Sequence, residues 1–176
     1  MDPVHIDLAV HWSARLSALL FAVALALPAL IPRLSRHASA LYFAFMMVHT
    51  VHFGFVVWMA HMTGGANMFP GDRSVADVGG WPTVFSIFAF FYALAFVGLV
   101  ARRAGPNVGH TLRLASRVTT TCLGLIFVGT YLSLIPQSLW YAVPGAFVTL
   151  GMIIDVLGNI GRQTHCLRCA VQEGAA

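Results

Sequence analysis

The sequence predicts an all-α integral membrane protein: one bundle of five transmembrane helices, N-terminus outside and C-terminus cytoplasmic, spanning residues 1–176 as a single domain. Three observations predict it. The first is composition: 59% of residues are hydrophobic, only 9% are charged, and the mean hydropathy is +0.80. A soluble domain carries about 25% charged residues. The second is segmentation. Residues 5–31, 38–62, 82–101, 114–135 and 138–160 form five apolar stretches, each long enough to cross a bilayer as a helix. The third is charge placement. All ten basic residues are arginine. With five spans, Arg33, Arg36, Arg102, Arg103, Arg113, Arg117, Arg162 and Arg168 fall on one side. Only Arg15 and Arg73 remain for the other, together with Asp2, Asp7, Asp72 and Asp77. Positive-inside bias makes the arginine-rich side cytoplasmic. The pI of 9.4 reflects these helix-end arginines, so nucleic-acid binding is excluded.

The first stretch is too long for a cleaved signal peptide and lacks a basic n-region, so it reads as a mature helix. It begins polar, with His5, Asp7, His11, Trp12 and Arg15. Asp7, His11 and Arg15 follow i, i+4, i+8 and share a face. A carboxylate one turn from a histidine can hold the ring in one tautomer. The same residues also read as an interfacial Trp and Arg with solvated neighbours.

The second stretch carries the chain's most informative residues. His49 and His52 lie deep in the span and point within about 60° of each other. His61 lies at the rim, about 180° from His52 on the same helix. Intramembrane ionisable residues are functional candidates by default. The Gly- and Pro-rich connection 63–80 reads as irregular and as a cover for the outer mouth, with Met62 and Met68 in or beside it. The third stretch has no ionisable group and reads as packing or lipid contact. The fourth carries Thr119, Thr120, Thr121 and Cys122; its hydroxyls can bond back to the preceding turn or across to a neighbour. The fifth contains Pro144, expected to kink it, and Asp155, expected to pair with Arg117 or Arg162. In the tail, His165, Cys166 and Cys169 supply three donors, one short of a structural zinc site.

A bundle that sets the first helix against the second gathers His11 and His52, with His49 a turn deeper. Bis-imidazole ligation of a b-type haem fits such apolar surroundings, with Arg15 pairing a propionate and Asp7 orienting His11. Di-iron carboxylate chemistry is excluded, because the only Glu is Glu173 in the tail.

Three segments carry a resemblance: ARLSALLFAVALALPAL, FAFMMVHTVHFG and LRLASRVTTTCLGLIFVGTYL. Over roughly 100 residues the chain resembles the ferric-reductase-like transmembrane domain family, which includes the haem-binding partner of a periplasmic methionine sulfoxide reductase. The resemblance implies a haem-b subunit of a bacterial inner membrane, with His49 and His52 on the family's second-helix histidine positions. It departs at Ser116, where the family has a histidine beside the arginine retained here as Arg117. Either His11 substitutes, or haem is lost and the fold serves as an accessory subunit.

The leading expectation is therefore a haem-b membrane subunit passing electrons between a quinone or cytoplasmic reductase and an outer-side partner, with no nicotinamide or flavin domain of its own. Two alternatives stand beside it. One is a structural or anchoring subunit of a larger membrane complex, with its histidines satisfied by hydrogen bonds or bound pigment. The other is an outer-side copper or zinc protein using His5, His11, His61 and Met62.

Overall fold

The computed structural model describes residues 3–65, 74–104, 109–136 and 138–173, with side chains described through Gly161 except at 3, 4, 32 and 159. Five helices carry the chain: α1 (Pro3–Leu30), α2 (Ala38–Met62), α3 (Gly80–Ala104), α4 (His110–Leu134) and α5 (Ala142–Glu173). Each contains a segment long and apolar enough to cross a membrane, and among the described residues there is no strand. This is an integral membrane bundle, as the hydropathy predicts.

Turn chemistry separates the spans. Pro32 opens a 3-10 segment, Pro32–His37, that reverses the chain between α1 and α2. It lacks an N–H, which a first turn does not need. At the far end of α2, Gly64 and Gly65 adopt φ of 64° and 80°. Only glycine takes such angles without strain, and they let the Gly65 N–H reach back to Ala60 O at 2.7 Å, satisfying a terminal carbonyl. The Gly65 carbonyl then accepts from Val75 N–H at 2.9 Å, returning the chain toward α3. Asp77 braces this return: its carboxylate accepts from Ser74 N–H and Ser74 Oγ–H at 2.7 and 2.8 Å. The intervening segment, with Met68, Asp72 and Arg73, lies outside the described residues, as does the expectation that it covers the mouth.

Each helix packs on its neighbour in sequence, and α5 returns to α1, closing a ring. All four tryptophans (Trp12, Trp58, Trp81 and Trp140) fall at one end, where α1, α3 and α5 begin and α2 ends. Arg33, Arg36, Arg102, Arg103, Arg113 and Arg117 fall toward the other. Indole rings favour the headgroup level of a bilayer, so this tryptophan end marks one interface.

The centre of the ring is aromatic. Phe21 of α1 lies 4.9 Å from Phe45 and 5.3 Å from Phe127, ring centroid to centroid. Phe91 of α3 completes the layer, 6.3 Å from Phe45 and 5.9 Å from Phe127. The long side of α1 against α5 is instead built from small residues. A Cβ at Gly151 would lie 2.9 Å from Ala22 O, and one at Gly158 would lie 2.8 Å from Ala29 Cβ. Without a hydrophobic drive between helices in lipid, such close backbone approach is what holds a pair together.

Two expectations about α5 change. The helix does not stop near residue 160 but runs to Glu173, so the tail continues as helix; the side chains of His165, Cys166 and Cys169 lie outside the described residues. Pro144 does not fall mid-helix. A 3-10 turn, Leu139–Tyr141, precedes Ala142, which puts Pro144 in the first turn, where its missing N–H breaks no bond.

Candidate functional site

Helices α1 and α2 run antiparallel, and their registers bring a serine pair against the histidine pair. Ser13 and Ser17 are one turn apart on α1; His52 and His49 are nearly one turn apart on α2. Ser13 Oγ lies 3.1 Å from His52 Nδ1, and Ser17 Oγ lies 2.9 Å from His49 Nδ1. The Ser13 hydroxyl donates to Ala9 O at 2.6 Å. With its one proton used, it accepts from His52, so His52 carries its proton on Nδ1 and leaves Nε2 as a lone pair.

His11 is anchored through Nδ1 by a different route. Its Nδ1–H donates to the Asp7 main-chain carbonyl at 2.8 Å, with the Asp7 carboxylate 3.4 Å away. Its Nε2 takes no part in these contacts, and its ring faces Tyr141 at 6.0 Å. His11 and His52 lie within electrostatic reach of each other at the tryptophan end. On α1, Ser13 and His11 point about 160° apart, and Ala14 points between them. A methyl group thus lines α1 between the two imidazoles. The donors here are two imidazoles with anchored Nδ1 atoms and one nearby carboxylate, and imidazole is a donor type that a b haem takes.

His49 has different surroundings. It is buried, stacks on Phe91 at 4.2 Å and meets Phe127 edge-on at 5.6 Å. Its ring also lies 5.5 Å from that of His52. It is a member of the aromatic centre, held at one edge by Ser17.

Arg15 lies beside this cluster rather than within it. Its guanidinium is 5.3 Å from the Trp12 ring and 5.7 Å from the Tyr141 ring, and its charge reaches Tyr131. His5 and His61 are exposed, and Met62 Sδ accepts from Trp58 Nε1–H at 3.1 Å. Among the described residues, no three His, Cys, Asp or Glu side chains gather to hold a metal. His5, His11 and His61 therefore do not assemble the outer copper or zinc site that their shared side suggested.

A second polar group sits nearer the arginine end. Arg102, expected among the helix-end arginines, turns inward. Its guanidinium lies over the Tyr42 ring at 4.2 Å and donates to Gly98 O at 3.1 Å and Thr120 Oγ1 at 3.4 Å. The Asp155 carboxylate acts on it electrostatically, so Arg102 belongs to Asp155's surroundings. Gly98 makes this possible, since a Cβ there would lie 2.7 Å from the Tyr42 hydroxyl. Thr119 Oγ1–H donates back to Ser116 O at 3.1 Å, so the threonines of α4 bond both within their helix and across to α3.

Sequence reading missed Ser13, Ser17, Tyr131, Tyr141 and the inward turn of Arg102. The serines carried a usable signal: hydroxyls at i, i+4 on the helix expected to face His49 and His52.

No protein-family model, curated protein or solved structure matches this chain.

Proposed function

We propose that this chain is a haem-b-binding membrane subunit for electron transfer, in which His11 and His52 are the residues that would hold the haem iron. The observation that carries this reading is the anchoring of both Nδ1 atoms by hydrogen bonds, which ligation through Nε2 would leave in place. Ser13 and Asp7 fix the two tautomers. A b haem held there would supply one-electron transfer. His49 takes a packing role and is not a ligand. Electrons would come from a quinone or a reductase on the arginine side and leave to a redox partner on the tryptophan side. The resemblance to the ferric-reductase-like family and a place in a bacterial inner membrane belong to the same proposal.

An absorption spectrum of protein purified from haem-supplemented cells tests it. The expected result is a Soret band and the α and β bands of a reduced low-spin b haem. His52→Ala and His11→Ala are expected to lose most of that absorbance. His61→Ala is expected to keep it, because that ring is exposed on the opposite face of α2. A colourless preparation would overturn the reading.

The Ser13–His52 and Ser17–His49 hydrogen bonds favour one second reading: the histidines clasp α1 to α2 in a non-catalytic anchoring subunit. That reading expects a colourless wild type, and a His52→Ala variant that melts earlier with no spectral change.

The proposed orientation places the tryptophan end outside. A single cysteine introduced at Asp77, in a background lacking the native cysteines, is expected to react with a membrane-impermeant maleimide in intact cells. Reaction only after the cells are broken would reverse the orientation.

A further inference from the structure

We propose that an anionic phospholipid binds at the tryptophan end of the α4–α5 seam, with its phosphate on Arg15 and one acyl chain between the helices. A cleft of about 400 Å³ opens there, lined mainly by apolar side chains that include Leu132, Ala146 and Ile153, with Tyr131 and Tyr141 in its wall. Leu132 and Ile153 are exposed on the bundle surface, so the cleft faces the acyl chains of a bilayer.

Arg15 supplies the second, independent feature. Its guanidinium lies against Tyr141 and within electrostatic reach of Tyr131, two residues that line the cleft. Trp12 flanks its other side. Among the described residues no carboxylate forms an ion pair with it; the nearest carboxylate influence is that of Asp7, which acts on the same Tyr141. Aromatic faces attract a guanidinium but do not neutralise it, and a full charge in the membrane seeks an anion or an aqueous exit. Arginine suits phosphate in particular, because its planar fork donates two parallel N–H bonds.

Depth makes the two features one site. Trp12 and Trp140 are exposed and flank Arg15 and Tyr141 in sequence. Exposed indoles settle at the headgroup level. Arg15 lies three residues, about 4.5 Å, inward of Trp12, from where its long side chain can reach a lipid phosphate, and the cleft extends from there toward the bilayer centre, where an acyl chain lies. Basic sites between helices are a recognised way to hold anionic headgroups. The assignment is separate from haem ligation by His11 and His52, and it moves Arg15 from the cofactor to the lipid.

The test is native mass spectrometry of the full chain, delipidated in detergent and titrated with dioleoylphosphatidylglycerol or dioleoylphosphatidylcholine. The expected result is a one-to-one phosphatidylglycerol adduct about tenfold or more tighter than the phosphatidylcholine adduct, a difference of about 1.4 kcal/mol. Arg15→Gln is expected to erase the preference, and Arg15→Lys to retain it in part. Ala146→Phe, which fills the cleft from its exposed side, is expected to weaken both adducts. Excess inorganic phosphate is expected to leave the adduct in place, because the acyl chain contributes to binding. Equal affinity for the two lipids, an adduct unmoved by Arg15→Gln and Ala146→Phe, or displacement by inorganic phosphate would each overturn the proposal. So would loss of haem absorbance in Arg15→Gln with the lipid adduct intact, since that result would put the guanidinium on the cofactor.

Discussion

Replacing Gly151 with valine is expected to unseat α5 from α1 and to lower stability by about 3 kcal/mol, the upper range for overpacking a tight interface. The new Cβ would meet Ala22 main-chain atoms at 2.9 and 3.0 Å. Backbone cannot swing aside as a flexible side chain can. Gly124 offers the contrast within the same bundle: its added Cβ would meet Met152, whose thioether has other rotamers. Gly124→Ala should therefore cost much less than Gly151→Val. Gly54 has nothing within 4 Å of its added Cβ, so Gly54→Ala should be neutral or slightly stabilising through helix propensity. Unfolding in mixed micelles, followed by circular dichroism, gives the three values. Equal costs at Gly54 and Gly151 would show that the small residues of α5 do not set the interface.

Phe21→Ala is expected to lose about 2 to 3 kcal/mol. Phe21 is fully buried and touches the rings of Tyr42, Phe45 and Phe127. In a water-soluble core the loss would include a transfer term. Here the unfolded reference remains in lipid or detergent, so mainly the cavity term survives. Removing roughly 100 Å³ at about 24 cal/mol per Å³ gives that figure. Phe21→Leu should recover more than half. The same unfolding titration measures both, and a Phe21→Ala variant as stable as wild type would mean the neighbouring rings collapse into the space.

Much of the fold was legible because a bilayer imposes a length. The apolar run 38–62 and the helix Ala38–Met62 coincide. Hydropathy marks where the bilayer ends, however, and not where the helix ends. Residues 161–173 contain no proline and only Gly161 as a helix-weakening residue, so α5 continues past its span. Pro144 misled for a related reason: the 3-10 turn at Leu139–Tyr141, which moves the start of α5, has no hydropathy signature.

The site was legible in part. The closeness of His49 and His52 follows from i, i+3 spacing alone. Their partners depend on how α1 is rotated about its axis, and that rotation is fixed by tertiary contacts such as Ala22 against Gly151. Apolar residues surround much of α1, so its sequence does not announce which side faces α2. Hence Ser13 was not foreseen beside His52, nor Tyr141 beside His11, while His11 and His52 stay within electrostatic reach of each other. Arg102 was obscured in the same way. An arginine in the last turn of a span ordinarily leaves for water, and only Gly98, one turn back, provides the room that lets it turn inward beneath Tyr42.

The packed ring of Phe21, Phe45, Phe91 and Phe127 carries a consequence for bioenergetics. A hydrated ion or a file of water molecules needs a polar bore, and four phenyl rings in mutual contact across the axis offer none. Within that layer the bundle gives protons and ions no polar path, so a voltage across the bilayer would not be short-circuited there.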